Sequence, residues 1–114
     1  MTITRQDLTP GYQLVQTAHA VADFCFDQLN SDITPSIIRQ WKQDSNSIIT
    51  LSTKDEASLT DLYQRLKKVT SHITAFYEPD IQDQMTAIAV FGTPEIRKKY
   101  LSNLPLALKQ FNQQ

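Results

Sequence analysis

Gln16, His19 and Asp23 are the first residues along the chain whose types and spacing could do chemistry. They fall three and four positions apart, so a helix would carry them along one flank. An imidazole there could act as a general base, because an ordinary histidine titrates near pH ~6.5. A carboxylate one turn on could orient it, and the Gln16 amide could hold a water or a terminal base. The plainer alternative is a histidine closing the edge of the core beside a solvated aspartate. Asp7 and Glu78 close two expected strands and could meet across the rim of a sheet. Two acids there could share a proton and raise one pKa; equally, they are a turn-capping aspartate and a solvated glutamate. Thr86 could offer a hydroxyl at the same rim, or simply favour a strand. No metal site is expected: His19 and His72 are the only histidines and Cys25 the only cysteine, with no ligand spacing among them.

These residues need elements to hold them. Thr2 to Arg5 or Gln6 reads as a first strand, broken by Thr9-Pro10-Gly11. A helix follows from about Tyr12 to Leu29. With Ala18 as origin, Leu14, Val15, Val21, Ala22, Cys25, Phe26 and Leu29 fall within about 80° of it, which predicts that this side faces the core. Thr34 and Pro35 supply a cap and a first-turn proline for a second helix, with Ile37, Ile38 and Trp41 on its apolar side. SIITLS, ending at Ser52, is a second strand. Thr53 and Glu56 form a capping box for a third helix to Val69, with Leu59, Leu62, Tyr63, Leu66 and Val69 inward. Residues 72 to 77 are a third strand, and 86 to 92 a fourth, the most apolar and therefore central. Thr93-Pro94-Glu95 repeats the cap-and-proline device and opens a last helix to about Leu101 or Asn103. The final residues are expected to fray. Strands alternating with helices predict one α/β domain on a mainly parallel sheet, with a hairpin between strands three and four.

Composition narrows the function classes. The 114 residues suit a single domain, and 40% of them are apolar, enough for a core without staples. The net charge of −1 argues against broad polyanion binding. The basic clusters Arg65-Leu66-Lys67-Lys68 and Arg97-Lys98-Lys99 fit helix C-terminal halves, where cations favour the dipole, or contact with an RNA stem. Cys25 reads as a buried structural thiol. No basic leader with an apolar run opens the chain, and no stretch approaches the ~20 apolar residues of a membrane span. A reducing cytoplasm is the expected location.

The opening carries a family resemblance. RQDL followed by GYQLVQTAHA is similar to the start of the type 2 peptidyl-tRNA hydrolases, matching at Arg5, Asp7, Leu8, Gly11, Gln16, His19 and Ala20. Trp41, a turn at Asn46 and the strand TAIAVFG continue the likeness in order and spacing. The resemblance implies a three-layer α/β/α sandwich on a four-stranded mixed sheet and no redox cofactor. It also implies hydrolysis of the ester that joins a peptide to tRNA. Catalytic residues would be Asp7, His19, Glu78 and Thr86, with Gln16, Tyr12 and Asn46 contacting substrate. A homodimer is compatible with it, on the likeness alone. The chain departs from the pattern at three places, the first being the lysine-rich turn before the helix, shortened here to Thr9-Pro10-Gly11. Tyr12 replaces the helix-start lysine, and Glu78 to Met85 replaces the Asp-Ala-Gly-Arg-Thr loop, so Glu78 or Asp80 would stand in for the acid. The alternative is a non-catalytic module that binds RNA or protein on the same scaffold.

Overall fold

A computed structural model describes residues 1–29 and 35–109. The strands are β1 (Thr2–Arg5), β2 (Thr50–Thr53), β3 (Ile73–Glu78) and β4 (Gln84–Val90). The helices are α1 (Pro10–Leu29), α2 (Pro35–Asp44), α3 (Glu56–Lys67) and the short α4 (Pro94–Ile96), which runs on as a π-helical turn through Arg97–Leu101. The sheet order is β2-β1-β4-β3. β1 and β2 are parallel, whereas β4 is antiparallel to both its neighbours. The sheet is thus mixed, and the expected β3–β4 hairpin holds its antiparallel edge. β4 is central, as its apolar run requires. On the β2 edge, Leu106 pairs with Leu51, which covers backbone groups that would otherwise face solvent.

The two faces of the sheet differ in chemistry. On one, Ile3, Leu51, Met85, Ile88 and Val90 meet Leu59, Leu62 and Leu66 of α3 with Ile96 and Leu101. That is an apolar core of branched side chains. On the other, α1 closes over small residues: Ala20 packs on Ala87 and Ala89, with Phe24 and Phe76 beside them. Thr4, Thr74 and Thr86 are buried on the sheet, and Gln13, Gln16 and Thr17 are buried on α1. Three layers result, α/β/α.

Here the helical-wheel expectation fails. The stripe centred on Ala18 faces outward, with Leu14, Val15 and Phe26 exposed by 57%, 49% and 68%. The polar side of α1 faces the sheet because that sheet face offers threonine hydroxyls and alanines, which suit glutamine amides and a close helix approach. Cys25 is accordingly half-buried rather than buried.

Smaller corrections follow from caps. α1 starts two residues earlier than expected, since Pro10 takes its first turn and Thr9 Oγ1 accepts from the Tyr12 N–H. β2 begins at Thr50 and includes Thr53, so α3 is capped by Asp55, whose carboxylate accepts from Ser58 N–H. Glu56 accepts instead from the Met85 N–H of β4. Val69 is 50% exposed and lies beyond α3. Thr93 does cap α4, accepting from Ile96 N–H. The expected Thr34 cap and the frayed last residues lie outside the described residues.

Candidate functional site

The site residues gather where β1 ends, β3 ends and β4 begins. Glu78 closes β3 and caps a 3₁₀ turn, Pro79–Ile81, by accepting from the Asp80 N–H at 3.1 Å. Gln82 and Asp83 complete the reversal with φ of 64° and 58°, and the chain enters β4 at Gln84. β3 and β4 then fall out of step. Tyr77 pairs with Met85 and Phe76 with Ala87, which leaves Thr86 as the extra residue of a bulge. A bulge re-aims a side chain. Thr86 thereby faces α1, on the same side as Ala87.

From α1, Gln16 reaches into this corner. Thr86 Oγ1 donates to Gln16 Oε1 at 2.5 Å, and Gln16 Nε2 donates to Glu78 Oε1 at 2.9 Å. The orientation of the amide is fixed by chemistry, because an ionised carboxylate only accepts. Gln16, Thr86 and Glu78 are all buried. Glu78 lies below the usual carboxylate range because it accepts from the Asp80 backbone N–H and the Gln16 amide, assisted by nearby His19. It is a fixed negative charge at neutral pH. His19, one turn along α1 from Gln16, lays its ring flat on Phe76, with centroids 4.5 Å apart and planes within 5°. One face of the imidazole is thus held while its edge stays exposed. Tyr12 stands half-buried at the start of α1. Burial raises its phenol pKa, the charges of Glu78 and Asp80 raise it further, and Arg5 opposes them. The hydroxyl therefore stays protonated, as a donor.

The structure brings Gln16, His19, Glu78, Thr86 and Tyr12 together. Asp7 is placed differently. Arg5 holds it through Nε and Nη2, both at 2.9 Å, and ties the pair to β4 through Gln84 Oε1 and the Met85 carbonyl. Asp7 and Glu78, which could have met across the rim, each have their own donors instead. Asp23 is exposed, and Phe76 rather than Asp23 sets the His19 ring. Asn46 ends α2 in a left-handed conformation, its N–H donating to the Trp41 carbonyl. It precedes β2 and so lies at the opposite end of the sheet. The apolar cleft at that end, about 340 Å³ and lined by Val21, Phe24, Trp41 and Phe91, contains none of this chemistry.

A family model described as peptidyl-tRNA hydrolase PTH2 matches residues 1–107. The chain belongs to this family. None of the curated proteins compared matches it. Two contributors to the corner where β1, β3 and β4 meet α1 carried no expectation beforehand. Arg5, one of the residues that carry the family resemblance, neutralises Asp7 and bonds β4. Phe76 lies two residues before Glu78, so strand alternation points both to the α1 face. Among the described residues, no cluster of three or more histidine, cysteine or acidic side chains could hold a metal ion, and no helix is long and apolar enough to cross a membrane.

Proposed function

We propose that this PTH2 chain hydrolyses the ester between a peptide, or an N-blocked amino acid, and tRNA. The observation that carries the reading is the buried Thr86–Gln16–Glu78 chain of hydrogen bonds beneath the exposed edge of His19. A water beside His19 attacks the ester carbonyl carbon, and the imidazole takes the water proton. The Glu78 carboxylate stabilises the imidazolium that forms. Tyr12, in place of a lysine, donates its O–H to the developing oxyanion. Collapse of the tetrahedral species breaks the bond to the ribose oxygen, which takes the proton back from His19. Peptide acid and free tRNA leave. No cofactor enters these steps. Substrate and setting are those of translation in the cytoplasm.

The two basic clusters support RNA contact on the other side of the sheet. Arg65 of α3 and Lys99 of the π-helical turn approach the Tyr100 ring at 6.0 and 5.6 Å, so segments far apart in sequence converge on one aromatic. The test offers purified protein an N-blocked aminoacyl-tRNA and follows ester cleavage. Cleavage reduced about 10²-fold or more in both His19→Ala and Glu78→Gln is the expected result. Cleavage that survives both changes misplaces the site. No cleavage, together with tight RNA or protein binding, establishes a binding module instead.

A further inference from the structure

Gln13 is 1% exposed on α1, one turn before Gln16, and takes no part in the steps above. Its amide is fully engaged. Nε2 donates to the Leu8 carbonyl at 2.7 Å, and Oε1 accepts from the Leu108 N–H at 3.0 Å. Both partners are backbone groups, one only an acceptor and the other only a donor, so the amide has a single orientation. One side chain thus joins the β1–α1 turn to a segment 95 residues further along. We infer that Gln13 is a positioning residue: it latches the first turn of α1 to a C-terminal strap and so holds the Tyr12 hydroxyl in place for the reaction.

The strap, residues 105–108, is built to hold that contact. Leu101 and Leu104 anchor the chain before it in the core on the α3 side. It then pairs antiparallel with the edge of β2. The Ser52 N–H donates to the Pro105 carbonyl and the Ala107 N–H to the Thr50 carbonyl, both at 2.9 Å. Leu108 follows with φ of 66°. A leucine keeps a left-handed conformation only where its surroundings impose it. Here the β2 pairing just before Leu108 and the Gln13 bond to its own N–H impose it. The strap therefore crosses the sheet edge and meets α1. The turn it meets carries the proposed oxyanion donor. The Tyr12 N–H donates to Thr9 Oγ1 at 3.3 Å and the Gln13 N–H to the Thr9 carbonyl at 2.8 Å, and Thr9 adjoins the Leu8 that Gln13 holds. A first helical turn has no turn before it to fix its N–H groups, so the Gln13 bonds set this one. Gln13 is buried and acts through Tyr12, and a shift of about 1 Å in a positioned group can cost ~10²-fold in rate.

The effect on turnover rests on the hydrolase reading above; the latch itself does not. Leu108→Pro in the full chain removes the N–H at a position that is 39% exposed. Amide hydrogen exchange over residues 13–17 is expected to quicken about tenfold, on the scale of one lost hydrogen bond, with exchange in α3 unmoved. Gln13→Leu, of similar size, cuts the same link from the other side and is expected to reproduce the effect. Leu108→Gly keeps the N–H and suits the left-handed backbone, so exchange there should stay at the wild-type rate. Exchange unmoved by Leu108→Pro, or quickened as much by Leu108→Gly, overturns the latch. With N-blocked aminoacyl-tRNA, Leu108→Pro is expected to lower kcat about tenfold and to leave KM within about twofold. In a Tyr12→Phe background the same change should cost nothing further, because the group being positioned is gone. A full tenfold loss added to that of Tyr12→Phe overturns the positioning role. If the ester is never cleaved, that role falls with the hydrolase reading, and the exchange measurements still decide the latch.

Discussion

Thr86 and Gln16 are both fully buried, so their bond is judged by what its loss leaves behind. In Thr86→Val the shape is kept, but Gln16 Oε1 loses its donor. A buried acceptor without a partner costs about 1–3 kcal/mol. Thr86→Ser retains the hydroxyl and should recover most of that, so urea unfolding of the two variants side by side separates hydrogen bonding from packing. A serine variant destabilised more than the valine variant would mean that the methyl, not the hydroxyl, matters. Glu78 gives a second handle. Its pKa is lowered in the folded state by the Asp80 N–H, the Gln16 amide and His19, so the native state binds the proton more weakly than the unfolded chain does. The stability this provides is present above the ordinary carboxylate value near ~4.3 and is lost as pH falls through the lower folded value. The difference in melting temperature between wild type and Glu78→Gln should therefore narrow as the pH is taken from 6 to about 3. A gap that stays constant or widens on acidification would contradict the assigned hydrogen bonds.

At the scale of elements, α1 is where periodicity and packing part company. The strands were legible because β-branched runs and turn residues mark them, and β4 as central followed from its apolar run. α3 was legible too, since its leucines face a sheet side of Ile3, Met85, Ile88 and Val90. A wheel assumes that the facing surface is apolar. Over α1 that surface is threonine and alanine, and no pattern within the helix itself reveals what lies opposite. The bulge at Thr86 was hidden for a related reason: it is a property of the pairing between β3 and β4, not of either strand. Gln16, His19 and Asp23 did lie on one side as expected, but the packing sends Gln16 inward, leaves His19 at the edge and exposes Asp23. Two leucine substitutions test the orientation. Ala20→Leu forces bulk against Ala87 and Ala89 and should cost about 1–3 kcal/mol. Ala18→Leu, at an exposed position, should stay within about 0.5 kcal/mol in dilute solution. The reverse order would restore the orientation that periodicity alone predicts.

Across the whole molecule, charge must be reconciled with an RNA substrate. A net charge of −1 gives no general attraction to a polyanion, so affinity has to come from where the cations sit. Arg65 is 3.0 Å from Asp61, and that partner reduces what it can offer a phosphate. Lys98 and Lys99, exposed on the π-helical turn, are better placed to displace counterions. Each phosphate contact adds close to one unit to the slope of log affinity against log salt. The double change Lys98→Glu, Lys99→Glu should thus weaken tRNA binding and flatten that slope by about 2. His19→Ala, by contrast, should leave the slope as it is, because it alters the reacting end and not the phosphate track. Titrating labelled tRNA at several salt concentrations reads both effects at once. A slope unchanged by the lysine reversals would move the RNA off the α3–α4 side of the sheet and onto the rim around Tyr12 and Arg5.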